Sequence, residues 1–409
     1  MLTISSLPTD LAAFAHEVDS FLAGRLPRRD SDTARGDAAV IEVHGLEHRP
    51  DAEVAAAVVA AARWQAQRFD AGFGWITGPP CDGGRGLPSS FERLYWEREA
   101  EYLAPDLTPL NVGTKMLSAA IVAHGSDAIR RQYLPALHRG DLIGCQLFSE
   151  PDAGSDLSAV RTSATWREGV WAVAGEKVWT SKAQFSDLGL CLARTSPSED
   201  THRGLTMFLV DMHDPGVEVR PLRQMNGHAS FNQVLLDGAL VPDSHRLGEV
   251  GGGWSVVRTT LMSERAGVGR GVTDPAAIAL DRMIALSRRL DRARDPLLRQ
   301  GVADLYARVR MADFISQRGQ AAERRGMAPG PEGSINKLAR TRNLQRAAAL
   351  IGRVLGPRLV ADEHAWTDFV LCAPGIRLGG GTDEIQLTVL AERVLGLPRE
   401  PRPVSRQLQ

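Results

Sequence analysis

The chain has 409 residues, 43% of them hydrophobic and 24% charged, with a formal net charge of −1. That length suits two or three packed subdomains, and the balanced charge gives no reason to expect nucleic acid or an anionic membrane surface as a partner. No apolar run reaches the roughly 20 residues of a membrane span, and the start MLTISSLPTD lacks the basic-then-apolar pattern of a signal peptide, so a cytoplasmic location is expected.

Residues 1–142 read as a helical domain. DAEVAAAVVAAARWQAQRFDAG (51–72) is Ala-rich and stops at glycine, and TPLNVGTKMLSAAIVAHG (108–125) reads as one apolar helix that also stops at glycine. GRLPRRDSDTARGDA (24–38) is a charged linker, and GPPCDGGRG (78–86) is a loop.

The period changes over 143–249. WREGVWAVAGEKVWTS (166–181), LTMFLVDM (205–212), GVEVRPL (216–222) and FNQVLLDGALV (231–241) are short β-type runs bounded by turn residues, which predicts an antiparallel β domain. Amphipathic helical runs return over 250–397, and 398–409 is a polar, proline-rich tail. Helices, then strands, then helices predict an α+β fold with a middle β domain.

Cys81, Cys145, Cys191 and Cys372 are too scattered for a zinc site or disulfide framework, and the histidines lack metal spacing, so no metal is expected. Lysine occurs only at 115, 177, 182 and 337 in a chain with 48 basic residues, which reads as coding bias. The chain lacks G-x-S-x-G, H-E-x-x-H and Walker A patterns, and GGGW (251–254) and GGGT (379–382) do not sit as a Rossmann fingerprint.

Two stretches carry chemistry. In Gln146-Leu147-Phe148-Ser149-Glu150-Pro151-Asp152-Ala153-Gly154-Ser155-Asp156, a strand runs into a loop whose backbone suits an anion, since Gly154 allows close approach and Ser155 adds a hydroxyl. In Lys177-Val178-Trp179-Thr180-Ser181, strand alternation puts Trp179 and Ser181 on one side, offering a ring face and a hydrogen bond to a flat heterocycle. Taken singly, the first is also compatible with a plain turn and the second with a packed tryptophan.

In this order and spacing, the stretches resemble the acyl-CoA dehydrogenase family. PPCDGGRG, HGSDAIRRQYLPALHRGD, VPDSHRLGEVGGGW and the closing GGGTDEIQLTVLAERVLGLPR extend the resemblance over nearly the whole chain. The resemblance implies an N-terminal helical domain, a middle β domain and a C-terminal four-helix bundle, assembled as a homo- or hetero-oligomer. It also implies bound FAD, an acyl-CoA thioester substrate, lipid or fatty-acid metabolism, and an electron-transfer flavoprotein as acceptor.

Carried over by position, Gln146, Phe148 and Ser149 would line the flavin pyrimidine, while Gly154 and Ser155 would reach the phosphate region. Trp179 and Thr180 would lie at the isoalloxazine, Ser181 would donate to N5, and Thr382 and Glu384 would contact the flavin from the C-terminal motif. The catalytic glutamate that many members carry just before the C-terminal Gly-Thr is replaced by Gly380. Isovaleryl-CoA and long-chain type members place it on a bundle helix, where this chain has Glu264-Arg265. Glu264 is therefore the expected base and Arg265 a substrate-positioning group. The N–H groups near Gly380 and Gly381 would polarise the thioester carbonyl.

A branched or bulky acyl group is the expected substrate. Two further readings stay open: a flavin-poor or silent subunit of a mixed oligomer, and a dehydrogenase or oxidase acting on carrier-protein-bound acyl groups. The first is motivated by 287–300 and by Arg353 and Pro357, which depart from the family's FAD-completing segments.

Overall fold

The computed structural model describes residues 10–29, 51–197, 202–267, 274–325, 327, 330, 333–360 and 365–399. Most of the 24–38 linker and the end of the tail lie outside these residues. The described residues fall into two compact units, the first ending at Glu264 and the second beginning at Arg265.

The first unit opens with helices α1 (Leu11–Ala23), α2 (Asp51–Asp70) and α3 (Ser89–Glu99). Asp10 caps α1 by accepting from Ala13 N at 2.8 Å, and Phe14, Val18, Phe21 and Leu22 bury one stripe of it. They join Trp64, Phe73, Tyr95 and Tyr102 in an aromatic core.

The expected helix over 108–125 is three conformations in series. A 3-10 turn, Thr108–Leu110, leads into a π-helical stretch, Val112–Leu117, and then into α4 (Ser118–His124). Pro109 limits the start, and the wide π turn lies where Gly113 meets the sheet. A Cβ on Gly113 would approach Gly144 N at 3.2 Å, and one on Gly144 would approach Gly113 Cα at 2.9 Å. Two glycines thus let helix and strand backbones touch. Helix α5 (Asp127–Arg139) follows, capped by Ser126 and stopped at Gly140, whose φ is 85°.

The strands are β1 (Gly144–Leu147), β2 (Ser163–Arg167), β3 (Val170–Ser181), β4 (Leu188–Arg194), β5 (Leu205–Asp211), β6 (Val217–Leu222), β7 (Phe231–Pro242) and β8 (Arg246–Leu247). Their order is β6-β7-β3-β2-β4-β5-β8, with β1 also paired to β4. Most pairings are antiparallel, as expected, but β1–β4 and the single β2–β4 pair are parallel. The helices ahead of β1 bring it in alongside β4 in the same direction.

Strand β4 is buried along nearly its whole length, and alternate residues feed two cores. Leu188, Leu190 and Leu192 pack with Leu117, Ile121, Leu134 and Val256. Cys191 and Ala193 pack with Val173, Phe208, Val210 and Val234. Helix α6 (Gly253–Gly267) follows and carries the boundary between the units.

The second unit contains α7 (Pro275–Arg289), α8 (Pro296–Arg324), α9 (Gly333–Leu355), α10 (Ala365–Ile376) and α11 (Asp383–Val389). Helix α9 is the centre, packed against α7, α8 and α10. The helix–sheet–helix order matches the α+β architecture expected.

Candidate functional site

A buried lysine joins the two motif stretches. Lys177 is wholly enclosed, and its ammonium donates to Glu150 Oε1 at 2.8 Å, Phe148 O at 3.0 Å and Leu192 O at 2.7 Å. Glu150 also accepts from Arg161 N at 2.6 Å and Thr162 N at 2.9 Å. Burial opposes its ionisation, but the Lys177 charge and these hydrogen bonds outweigh it and hold the carboxyl below its ordinary pKa. Val178 N donates to Ser149 O at 2.9 Å, so the backbones of the two stretches meet directly.

Beyond Lys177 the strand bulges. Lys177 pairs with Val234 and Thr180 with Asn232, so three steps along β3 answer two along β7. Trp179 lies in the extra step at φ 60°, and Lys182 beyond the strand has φ 58°. Left-handed backbone at a bulky residue is strained. The extra residue also shifts parity. Lys177 and Thr180 both face inward, while Trp179 is 56% exposed and Ser181 is half-buried. Regular alternation would have put Trp179 on the side of Lys177. The Phe231 ring meets the Trp179 indole edge-on at 5.8 Å.

The expected residues therefore separate by position. Gln146 and Ser149 are half-buried, and Gly154 and Ser155 are exposed. A Cβ on Gly154 would meet nothing within 4 Å, so the loop backbone there is open to approach. Two of the expected residues turn their side chains inward, which leaves only their backbone for a ligand. The Phe148 side chain, one residue past β1, is buried in the core with Leu117, Leu190 and Val256, while its neighbour Leu147 is buried in the other core. Thr180 is also turned inward, at 1% exposure; its carbonyl accepts from Asn232 Nδ2 at 3.1 Å, and its hydroxyl has no partner among the described residues.

Glu264 and Arg265 lie in α6, but their side chains fall outside the described atoms. The helix before them is tied down on its own unit. His124 Nε2 shares a 2.8 Å hydrogen bond with Thr259 Oγ1, and Ser263 Oγ donates to Lys115 O at 3.0 Å in the π-helical stretch.

The C-terminal group belongs to the second unit. Gly380 and Gly381 have φ of 64° and 82°, which a glycine adopts at no steric cost. Gln386 Nε2 donates to Gly380 O at 2.9 Å. The Thr382 hydroxyl caps α11 by accepting from Ile385 N at 3.2 Å. Glu384 is exposed, 3.4 Å from Arg377 Nη2. Between them Asp383 is buried and accepts from Lys337 Nζ at 3.1 Å, Thr341 Oγ1 at 2.9 Å and Arg377 Nε at 3.0 Å. Burial opposes ionisation of Asp383; Arg377, Lys337 and Thr341 reverse that and lower its pKa.

Sequence reasoning missed Glu150, Lys177, Lys337 and Asp383 as the groups that fix these loops. A signal was present: two of only four lysines are the cations in question. At an enclosed position such as that of Lys177, a compact, three-donor ammonium fits where a guanidinium would not.

No helix among the described residues is long and apolar enough to cross a membrane. Residues 145–237 match the acyl-CoA dehydrogenase middle domain, and residues 251–395 match the acyl-CoA dehydrogenase C-terminal domain. Acyl-CoA dehydrogenase FadE34 of Mycobacterium tuberculosis is 36% identical over 94% of this chain, which spans 54% of that protein's length. Acyl-CoA dehydrogenase IpdE1 of the same organism is 34% identical over 83% of this chain and 88% of its own. Among solved structures, the Tcur3481-Tcur3483 steroid ACAD overlays with a TM-score of 0.74 at 21% identity, covering 96% of this chain and 99% of that one.

Proposed function

The chain belongs to the acyl-CoA dehydrogenase family, whose members are FAD-dependent, and from that premise we propose that it removes two hydrogens from the α and β carbons of an acyl thioester, with Glu264 as the base. One observation supports this reading of the flavin's surroundings. A single buried cation ties the SEPDAGSD loop to the strand that presents the Trp179 indole and Ser181 outward.

The residues suit FAD. A largely exposed indole on a strained bulge offers a flat apolar face. Open backbone at Gly154 next to the Ser155 hydroxyl suits a phosphate. Gln146 and Ser149 provide polar edges for the pyrimidine. FAD, when bound, supplies the two-electron acceptor for the hydride that leaves Cβ. Glu264 takes the α-proton, the Cα–H electron pair becomes the new double bond, and Ser181 donates a hydrogen bond where electron density arrives. By the family's pattern, the N–H groups at Gly380 and Gly381 would hold the thioester oxygen, Thr382 and Glu384 would contact the flavin, and Arg265 would orient the substrate.

Gly380 also favours a bulky or branched acyl group. By the same pattern, a glycine in place of the carboxylate side chain would leave more volume for the acyl group. The steroid named for one structural relative agrees with that direction. The electron acceptor fitting this reaction is an electron-transfer flavoprotein. The test is flavin bleaching under anaerobic conditions with ring-bearing or methyl-branched thioesters against straight short-chain ones. Faster bleaching by the straight short chains would remove the bulky-substrate reading. A Glu264→Gln variant that keeps FAD and bleaches at the wild-type rate would remove the base.

A second reading is favoured by the end of α9. Arg353 and Pro357 stand where the family has the Gln and second Gly of an FAD-completing turn. Gly356 there has φ 55°, and Arg292 Nη2 donates to Arg353 O at 3.4 Å. In that reading this chain works beside a related subunit. Protein that is colourless alone and turns yellow on mixing with that subunit would support it; full flavin occupancy alone would exclude it.

A further inference from the structure

We propose that Lys177, acting through Glu150 and two backbone carbonyls, is the positioning residue that sets the flavin-facing geometry of both motif stretches; this rests on the FAD reading above.

The ammonium has three N–H donors, and three acceptors surround it at 2.7–3.0 Å. Each acceptor belongs to a different part of the region. Phe148 O precedes Ser149, Glu150 opens the loop that leads to Gly154 and Ser155, and Leu192 lies on β4. Lys177 itself stands two residues before Trp179, at the last regular pairing ahead of the bulge. The donor therefore fixes the start of the loop and the start of the bulge to one point.

The pair does not tune the flavin by charge. Glu150 and Lys177 neutralise one another, and Glu150 spends its other oxygen on the Arg161 N–H. What the pair supplies is rigidity at an enclosed site, where the three donors of Lys177 and both oxygens of Glu150 are matched. Arginine cannot replace it. A guanidinium is planar, longer and carries five donors, so at a wholly enclosed position at least two would be stranded. A lysine suits this position because its three donors match the three acceptors around it.

The experiment uses the full-length protein stripped of flavin and titrated with FAD. It reads the dissociation constant by flavin fluorescence, the shape of the bound flavin's visible absorption band, and the melting temperature of the flavin-free form. The variants are Lys177→Met, Lys177→Arg, Glu150→Asp, and Lys177→Met with Glu150→Gln. The double variant removes both charges, so it recovers much of the melting temperature lost by Lys177→Met. Its FAD affinity stays weakened by about tenfold or more, with an altered absorption band, because Phe148 O and Leu192 O still lack their donor. Lys177→Arg keeps the charge and shows the same weakening; Glu150→Asp, which keeps the pair but shortens it, falls between.

A purely structural pair gives the other pattern, with melting temperatures lowered while FAD affinity and absorption band stay as in the wild type. That result, in the double variant or in Lys177→Arg, overturns the proposal. Wild-type protein that binds no FAD removes the reading beneath the proposal and the proposal with it.

Discussion

Two carboxylates hold the motif loops of this chain, and they do so differently. Glu150 faces one ammonium closed off from the surface and two backbone N–H groups. Asp383 shares two cations and a hydroxyl, but its Lys337 side chain is 13% exposed and its Arg377 side chain 45% exposed. Both carboxyls sit below their ordinary pKa, so both contribute stability that is complete above the unfolded carboxylate pKa. That contribution is lost as pH falls toward their depressed folded values. The first anchor is enclosed and saturated. The second is redundant and half wet. An enclosed anchor fails when one partner goes; a wet one can turn its remaining charges to solvent.

The contrast is sharpest in Lys177→Met. It leaves Glu150 charged, buried and short of its cation, so about 3–5 kcal/mol of stability should be lost. Urea unfolding of the flavin-free protein measures it, and adding Glu150→Gln should return a large part. A loss below about 1 kcal/mol for the single variant would mean that water already reaches this site. Asp383→Asn should cost less, about 1–3 kcal/mol, because Arg377 is already largely solvated and Lys337 is near the surface. An equal loss for the two substitutions would erase the distinction between the anchors.

A buried group with no counter-ion gives the comparison a third point. His138 is buried, stacked on Trp75 at 3.7 Å between ring centres, and hydrogen-bonded to Ser118 Oγ at 2.7 Å. Burial pushes its pKa down to about 3 from an ordinary 6.5. The folded chain keeps it neutral while the unfolded chain takes up a proton below pH 6.5. Its contribution is therefore intact above 6.5 and falls by about 1.4 kcal/mol per pH unit as pH drops toward 3. Unfolding of His138→Gln against wild type between pH 7 and 5 should show the wild type losing stability faster. Parallel curves would show that His138 titrates normally in the fold.

The sequence made the coarse layout legible because period is a local property. Strands such as Leu205–Asp211 and helices such as Gly333–Leu355 announce themselves within their own residues. What stayed hidden depended on pairing at a distance. The bulge at Trp179 exists only in register with β7, so no reading of Lys177–Ser181 alone could find the parity shift. The inward side chains of Thr180 and Phe148 were likewise invisible, because a position matched to a family motif carries no information on which side of the strand is the core. The parallel placement of β1 beside β4, and the π turn over Gly113 and Gly144, also rest on contacts between segments far apart in the chain. Glu150 and Lys177 were visible as letters of motifs, but their union across 27 residues was not. For Glu264 the sequence supplied the candidate, and the structure adds only that the helix before it is pinned at Thr259 and Ser263.

The smallest expected effect tests whether the bulge is kept for stability at all. A buried tryptophan replaced by glycine should cost several kcal/mol, since truncation to alanine alone costs about 3–5. Trp179 is different. Its indole is mostly exposed, its ring contact is one edge-on approach to Phe231, and its φ of 60° suits glycine. Relief of the left-handed strain, worth about 1–2 kcal/mol, offsets the lost packing and the added freedom of the unfolded chain. Trp179→Gly should therefore unfold within about 1 kcal/mol of wild type while binding FAD markedly more weakly. Held beside Lys177→Met, it separates the two duties of one short strand: the enclosed residue carries stability together with position, and the exposed one carries contact alone. A large loss of stability in Trp179→Gly would place the indole back in the core and undo that division.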